Sequence, residues 1–240
     1  MWKAIITLLA ALAFSLDGFF GSDFGGFDPN RFPIPQENPP LQPIGFAFAI
    51  WFPIYLWLIA SGIYGVARRP KDPGWNRFRG PLAVSLLIGT PWIQVAQVSP
   101  FWSTIMIWAM LITALLALYR APERDRLWAR APIGLYAGWL TAAAGVGTSV
   151  LLSGYGVLPA MTSAVTLLVI ALALAVKTIL TTAHPNLTYV IAFQWALIGV
   201  VINSLNQQNT IILILAGIGI FVIALARRYH RREHEHASKG

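Results

Sequence analysis

The chain has 240 residues, of which 57% are hydrophobic and 11% are charged. A soluble domain carries about 25% charged residues, so too few polar side chains are present to cover a water-soluble fold. Long segments without an ionised group are instead typical of helices that cross a lipid bilayer.

The net charge is +8 and cysteine is absent. The missing cysteine excludes a disulfide framework, a thiol nucleophile and a cysteine metal site. A positive net charge in a soluble protein would suggest nucleic acid as a partner. Here the basic residues lie between apolar segments, so membrane topology explains them and no nucleic-acid partner is expected.

Eight apolar segments follow one another, each close to the ~20 residues that cross the hydrocarbon core of a bilayer. They predict an all-α, polytopic transmembrane helical bundle of eight helices in a single domain, residues 1–240. Only Ser99-Pro100 divides the third segment from the fourth, so one kinked helix, and seven spans in all, is the alternative. The segments are approximately 2–20, 43–66, 81–98, 100–119, 131–152, 158–180, 187–204 and 209–227.

The first segment carries one basic residue, Lys3, ahead of its apolar run, as a signal peptide also does. No small-x-small cleavage site follows this run, which continues as Gly18-Phe19-Phe20-Gly21. We therefore expect the segment to remain as the first transmembrane helix.

Basic residues are distributed unevenly between the two sides of the predicted bundle. Sixteen of the 17 Lys and Arg lie on the side of the termini, mostly in loops 68–80 and 120–130 and in the tail 228–240. Arg31 alone lies on the other side. Because cytoplasmic loops are enriched in Lys and Arg, we expect both termini in the cytoplasm and the protein in the bacterial inner membrane.

The longest predicted connection, residues 21–42, is rich in Pro, Gly and Asn, which disfavours regular structure. Long loops often bind ligands or close over them, although a plain surface connector fits the same composition. Both interpretations stay open from the sequence.

Ten tryptophans are many for a chain of this length. Four of them lie in predicted loops or at predicted helix ends, where amphipathic rings anchor a protein at the lipid headgroups: Trp2, Trp75, Trp102 and Trp128. Five others lie inside predicted spans, where an indole N–H needs a hydrogen-bond partner or a ligand. These five are Trp51, Trp57, Trp108, Trp139 and Trp195.

The second and fifth spans carry two patterned faces. Trp51 and Tyr55 are four residues apart and Phe48 precedes Trp51 by three, so these rings share a helical face. In the fifth span, small residues recur every four positions and predict a close helix contact at Gly134, Gly138 and Ala142. A neighbouring face of that span carries Tyr136, Trp139 and Ala143. Helix packing and a ligand wall are both compatible with the aromatic faces.

These two spans resemble the tryptophan-rich sensory protein family, also called the translocator protein or TspO/MBR family. The second helix of that family opens with a proline and an aromatic run, which Pro43, Phe46 or Phe48, Trp51 and Tyr55 fit. Its fifth helix carries Pro-Tyr-x-x-Trp-x-x-x-Ala and closes on an Asn. Tyr136, Trp139 and Ala143 fit this pattern, whereas Pro132 is displaced and Gly147 stands at the Asn position.

In the family, the middle of the third helix has an Asn and a Trp, and this chain offers Trp92, Gln94 and Gln97 there. The resemblance covers residues 1–153 as a five-helix core, to which residues 158–227 add three helices.

The resemblance implies a pocket between the first five helices, under the external loop, for tetrapyrroles, sterols or synthetic aromatic ligands. A porphyrin or related tetrapyrrole is the candidate ligand, and no cofactor is otherwise expected. Flat macrocycles stack on aromatic rings, and small residues leave room for them. The implied ligand-binding residues are Phe48, Trp51, Tyr55, Tyr136, Trp139 and Ala143.

The sequence shows no catalytic constellation and no metal-binding cluster, so we do not expect an enzyme. The ionisable residues nearest the spans, Asp17 and Lys177, lie close enough to the ends to reach the interface. Three functions stay open: a binding or sensory protein for an apolar aromatic ligand, a small-molecule transporter, and an accessory subunit of a larger membrane pigment–protein complex. A homodimer or a membrane-complex partner is compatible with each of them.

Overall fold

The computed structural model describes residues 1–20, 24–183 and 186–237, with side chains described as far as residue 232. These residues are 80% helical and include no strand. Eight of the described helices are long and apolar enough to cross a membrane, so the expected transmembrane helical bundle is confirmed. This description does not include Ser22, Ser238 or the side chains of His234 and His236 in the C-terminal tail.

Six of the eight spans are each formed by one α-helix, whereas the second joins the 3-10 helix Gly45–Ile50 to α2 and the third joins two α-helices. The helices are α1 (Trp2–Phe20), α2 (Trp51–Arg68), α3 (Pro73–Gly89), α4 (Trp92–Val98), α5 (Pro100–Arg120), α6 (Arg130–Gly154), α7 (Ala160–Thr181), α8 (Leu187–Asn206) and α9 (Thr210–Ala237). Helices α3 and α4 together make the span Pro73–Val98. The long connection 21–42, here called the external segment after its expected side, holds a 3-10 turn at Pro29–Arg31, so the expectation that it lacks regular structure was wrong there.

The third and fourth spans are separate helices joined by a tight turn at Ser99. The Ser99 hydroxyl accepts a hydrogen bond from the backbone N–H of Trp102, and Pro100 opens α5, where a missing N–H costs nothing. Single-helix continuity through Pro100 would have removed a backbone hydrogen bond. The prediction of eight spans is therefore confirmed, and the alternative of seven spans is wrong.

The third span begins at Pro73, eight residues before the expected start at 81. The Asp72 carboxylate caps this end by accepting the backbone N–H of Trp75 at 2.9 Å. The expectation that residues 73–80 form a loop was wrong, because Arg77 and Arg79 obscured the helix in a hydropathy pattern. Trp75 was also wrongly assigned to the lipid interface, since it is only 2% exposed.

Helix α6 is the centre of the bundle and packs against α2, α5, α7 and α8. Its small residues let neighbouring backbones approach closely. A Cβ on Gly138 would lie 2.3 Å from the carbonyl oxygen of Tyr189 in α8, and one on Gly134 would meet the Asn186 side chain. On the adjacent side, a Cβ on Gly145 would lie 3.1 Å from Ala171 in α7. Helices α7 and α8 are thus packed directly onto α6, and α9 packs on α7 and α8.

Candidate functional site

An aromatic cluster forms where the start of α2 meets the middle of α6. The rings of Trp51 and Tyr55 stack with centroids 5.4 Å apart, as expected for residues one helical turn apart. The Trp139 ring meets Trp51 edge-on at 6.1 Å and Phe48 at 5.6 Å. Residues from two helices and the preceding 3-10 turn are therefore brought to one place.

Beside this cluster lies a small cavity, here called the apolar chamber, with a volume of about 60 Å³. Its wall includes Phe48, Trp51, Trp139, Ala143 and Gly147. A Cβ added at Gly147 would lie 3.8 Å from Phe27, which also lines the chamber, and 3.8 Å from the hydroxyl of Thr104. The polar Asn that the family pattern places here would project towards the same space.

Helices α7 and α8 form the far wall of the apolar chamber. Their contribution comes from Leu168, Ala171, Phe193, Ala196, Leu197 and Val200. The expectation of a pocket confined to the first five helices was therefore wrong. Because α6 is central, any space beside Ala143 is closed on one side by the helices that pack on it.

A second cavity, here called the vestibule, adjoins the apolar chamber and has a volume of about 340 Å³. It is lined by the end of α1, including Phe14 and Asp17, and by Tyr55 of α2. Five side chains belong to both walls: Phe24, Phe48, Trp51, Trp92 and Ile107. The two cavities are thus one site in two parts, with Trp51 between them.

The described part of the external segment covers this site. The Phe24 ring meets Trp92 edge-on at 4.7 Å, and Phe27 lines the apolar chamber. The segment is tied to the bundle at its far end, where Asn203 of α8 donates its side-chain N–H to the carbonyl of Gln42 at 2.8 Å. Residues 24–43 are therefore part of the site, which a plain connector would not be.

The residues that the sequence proposed for the site divide into three groups. Phe48, Trp51, Trp139 and Ala143 line the apolar chamber, and Tyr55 lines only the vestibule. Tyr136 lines neither cavity, because it is fully buried with its hydroxyl 3.0 Å from that of Ser85.

Sequence reasoning missed the loop phenylalanines and the wall from α7 and α8. The Phe24-Gly-Gly-Phe27 pattern in a polar loop was a usable signal. The uniformly apolar faces of α7 and α8 offered no such signal in the sequence.

Three tryptophans line the apolar chamber, and they differ in whether the indole N–H has a protein acceptor: Trp51, Trp92 and Trp139. Five tryptophans donate to protein acceptors at 2.8–3.1 Å: Trp57, Trp75, Trp92, Trp108 and Trp195. Trp51 and Trp139 have no such partner among the described residues, and neither nitrogen is sealed from the cavity. Two of the tryptophans in the chamber wall, Trp51 and Trp139, therefore lack a described protein acceptor for the indole N–H, whereas Trp92 has one.

A second aromatic cluster, here called the basic-face cluster, lies at the opposite end of the bundle. The Asp125 carboxylate forms an ion pair with Arg69 at 2.7 Å and accepts hydrogen bonds from Tyr64 and Trp75, both at 3.1 Å. The Tyr64 ring stacks on Trp128 at 5.2 Å. Hydrogen bonds from Arg69 lower the pKa of Asp125 to about 2, partial burial opposes them, and Trp75 and Tyr64 add to them.

Buried Arg79 supports this cluster from within α3. Its guanidinium donates to the carbonyls of Gly65 and Arg69 and to the side chain of Asn76, at 2.8–3.0 Å. The charge also lies over the Trp75 ring at 5.4 Å. These hydrogen bonds connect α3 with the end of α2 and with the turn between the two helices. The basic-face cluster is therefore structural, and we call it a structural clasp because it holds the two helices together.

The fold and site define a polytopic integral membrane protein whose aromatic cavity opens beneath an external segment. The family described as TSPO-like protein matches residues 34–228, and the chain belongs to that family. The match extends the resemblance beyond residue 153 and through α7 to α9. No curated protein and no solved structure matches the chain. Membership indicates a sensory or binding role in a membrane.

Proposed function

We propose that this chain binds a flat, apolar aromatic molecule across the apolar chamber and the vestibule. Tetrapyrroles are the candidate class, as the family resemblance implies. The observation that carries the proposal is the pair of unpartnered indole N–H groups of Trp51 and Trp139. A buried Trp usually finds a hydrogen-bond partner, so a ligand with acceptor atoms would complete this wall.

Cavity size limits how such a ligand can sit. Ligand pockets usually have volumes of about 300–1,000 Å³, so the vestibule is large enough and the apolar chamber is not. The main body of the ligand therefore lies in the vestibule against Trp51, and a smaller apolar part enters the chamber towards Ala143. A full macrocycle would fit only after Phe24 moved, because its ring contacts Trp92 and both side chains line the chamber and the vestibule.

A binding or sensory role is favoured over catalysis. The walls described above consist mainly of aromatic rings and small apolar side chains, which suit the binding of a flat apolar molecule. The proposed activity is thus reversible occupation, reported through the external segment that roofs the site.

A fluorescence titration tests the proposal. The purified protein in detergent is titrated with protoporphyrin and with a neutral pyrenyl alcohol, and tryptophan quenching is recorded. Trp51→Ala and Trp139→Ala should each weaken binding by about 2–12-fold, the equivalent of ~0.5–1.5 kcal/mol for an aromatic pair. Trp102→Ala is the matched control, because Trp102 is 60% exposed and lines neither cavity. Equal binding by all three variants, or no binding of either probe, would refute the proposal.

We also propose that the basic face and both termini are cytoplasmic, in a bacterial inner membrane. The absence of native cysteine permits single-cysteine labelling at exposed Asn30 and exposed Arg124. An impermeant reagent applied to intact cells should label Asn30→Cys and leave Arg124→Cys unlabelled. The opposite pattern would invert the assignment.

A further inference from the structure

We propose that the vestibule selects ligands that carry a positive charge, with an ammonium-type group beside Asp17 and an aromatic body against Trp51. This inference rests on the proposed function and names the chemical class of ligand. It departs from the carboxylate-bearing tetrapyrroles that the family resemblance implies.

The first observation is the single carboxylate in the vestibule wall. Asp17 is half-buried near the end of α1, and its Oδ1 accepts a hydrogen bond from the side-chain amide of Gln94. Among the described residues, no Lys, Arg or His pairs with Asp17. The carboxylate therefore lines the cavity with its charge uncompensated by a protein cation.

The second observation is the set of aromatic rings that line the same cavity as that carboxylate. Phe14 meets Tyr55 at 5.2 Å and Trp51 at 5.9 Å, and all three rings line the vestibule with Asp17. Trp92 closes the other side. Aromatic rings attract a cation placed within about 6 Å of their faces, most strongly when it is a weakly hydrated ammonium. Rings together with one carboxylate form the kind of surface that holds such a group.

The third observation concerns which charges are missing from the walls. The described linings of the apolar chamber and the vestibule include no Lys, Arg or His. A ligand carboxylate would therefore find no cationic partner there, and it would lie near Asp17 in a medium of low dielectric constant. Like charges at short range in such a medium repel strongly.

The charge of the external side acts in the same direction. Its sequence carries Asp17, Asp23, Asp28 and Glu37 against one cation, Arg31, which forms an ion pair with Asp28 at 3.7 Å. A net negative entrance raises the local concentration of cations and lowers that of anions. The entrance and the vestibule thus favour the same sign of ligand charge.

Three pyrene probes of one size test this inference, because they differ only in the end group. They are 4-(1-pyrenyl)butyltrimethylammonium, 1-pyrenebutanol and 1-pyrenebutanoate, each titrated into the full chain in uncharged detergent at 0.15 M salt. The cation should bind about tenfold more tightly than the alcohol. The carboxylate should bind more weakly than the alcohol.

Asp17→Asn, which keeps the amide-accepting oxygen, should abolish the preference for the cation over the alcohol. Glu37→Gln is the control for general surface charge, since Glu37 is exposed and lines neither cavity. It should retain the preference. The probe order in the unchanged protein stands by itself if Asp17→Asn does not fold.

The outcomes separate this inference from the proposed function. Suppose that the unchanged protein binds the alcohol and the cation equally well, and that Trp139→Ala loses binding of the alcohol. This result would overturn the charge selection and keep the aromatic site. A preference that survives in Asp17→Asn or disappears in Glu37→Gln would also overturn it. Failure of all three probes to bind would overturn the proposed function itself.

Discussion

The two aromatic clusters of this protein use the same residue types in opposite ways. In the basic-face cluster, Trp75 and Tyr64 donate hydrogen bonds to Asp125, which also pairs with Arg69. The other cluster, here called the external cluster, consists of Phe48, Trp51, Tyr55 and Trp139. In it, the indole N–H groups of Trp51 and Trp139 have no acceptor among the described residues, and both side chains border a cavity. Aromatic content alone therefore does not distinguish a structural clasp from a ligand site.

The difference comes from what the surrounding chain supplies. At the basic face, one carboxylate provides acceptors for three neighbours, and Arg79 fills the remaining space. At the external face, small residues such as Ala143 and Gly147 leave space and supply no acceptor. A satisfied polar network rigidifies its surroundings, whereas unpartnered donors in a cavity wall leave a role for a ligand.

The largest expected effect comes from removing the centre of the basic-face cluster. Asp125→Ala leaves Arg69 and the Trp75 N–H without their acceptor, so it should cost about 1–3 kcal/mol of stability. Thermal unfolding in detergent, followed by circular dichroism, measures the loss. Binding at the external site should be unchanged below the melting transition.

Asp28→Ala is the matched control, since it removes the other described ion pair. Both partners of that pair are 50% exposed, and exposed pairs contribute about 0–1 kcal/mol. Equal melting temperatures for Asp125→Ala and Asp28→Ala would show that the clasp is not structural.

Acidification should produce the next largest effect through the same carboxylate. Its pKa of about 2 lies below the ordinary value of 3.8, so ionised Asp125 stabilises the fold above about pH 4. This contribution should be lost as the pH falls towards 2, because the folded state must then take up a proton. The melting difference between the unchanged protein and Asp125→Asn should therefore shrink between pH 4 and pH 2. A constant difference over that range would contradict the assigned pKa.

Gly138→Leu should weaken the contact between α6 and α8 that closes the far wall of the apolar chamber. Its Cβ would collide with the Tyr189 carbonyl, so we expect a loss of about 2 kcal/mol from overpacking. Gly217→Leu on α9 is the control, because nothing lies within 4 Å of its added Cβ. If both variants melt alike, the close approach at Gly138 is not what holds these helices together.

The smallest expected effect on stability, and the most selective for the external cluster, comes from Ala143→Leu. The added side chain extends into the apolar chamber without removing a polar group, so melting should change by less than ~1 kcal/mol. Binding of a pyrenyl alcohol should nevertheless weaken several-fold because the space is occupied. Unaltered affinity, measured by tryptophan quenching, would place the ligand entirely in the vestibule.

The sequence by itself determined the class of fold and one face of the site. Hydropathy identified eight spans because a bilayer demands long apolar helices. Helical spacing placed Trp51 beside Tyr55, as the stacked rings show. These features depend on local composition and period, which the sequence displays directly.

Only the tertiary structure decided where α3 begins and what encloses the site. Arg77 and Arg79 looked like loop charges, yet the backbone carbonyls of Gly65 and Arg69 satisfy the buried guanidinium of Arg79. The apolar chamber is completed by α7 and α8, and the absence of a Cβ at Gly145 and at Gly138, respectively, allows these helices to approach α6 closely. Contacts between residues distant in the chain leave no period in the sequence, because packing geometry and not local hydropathy selects them.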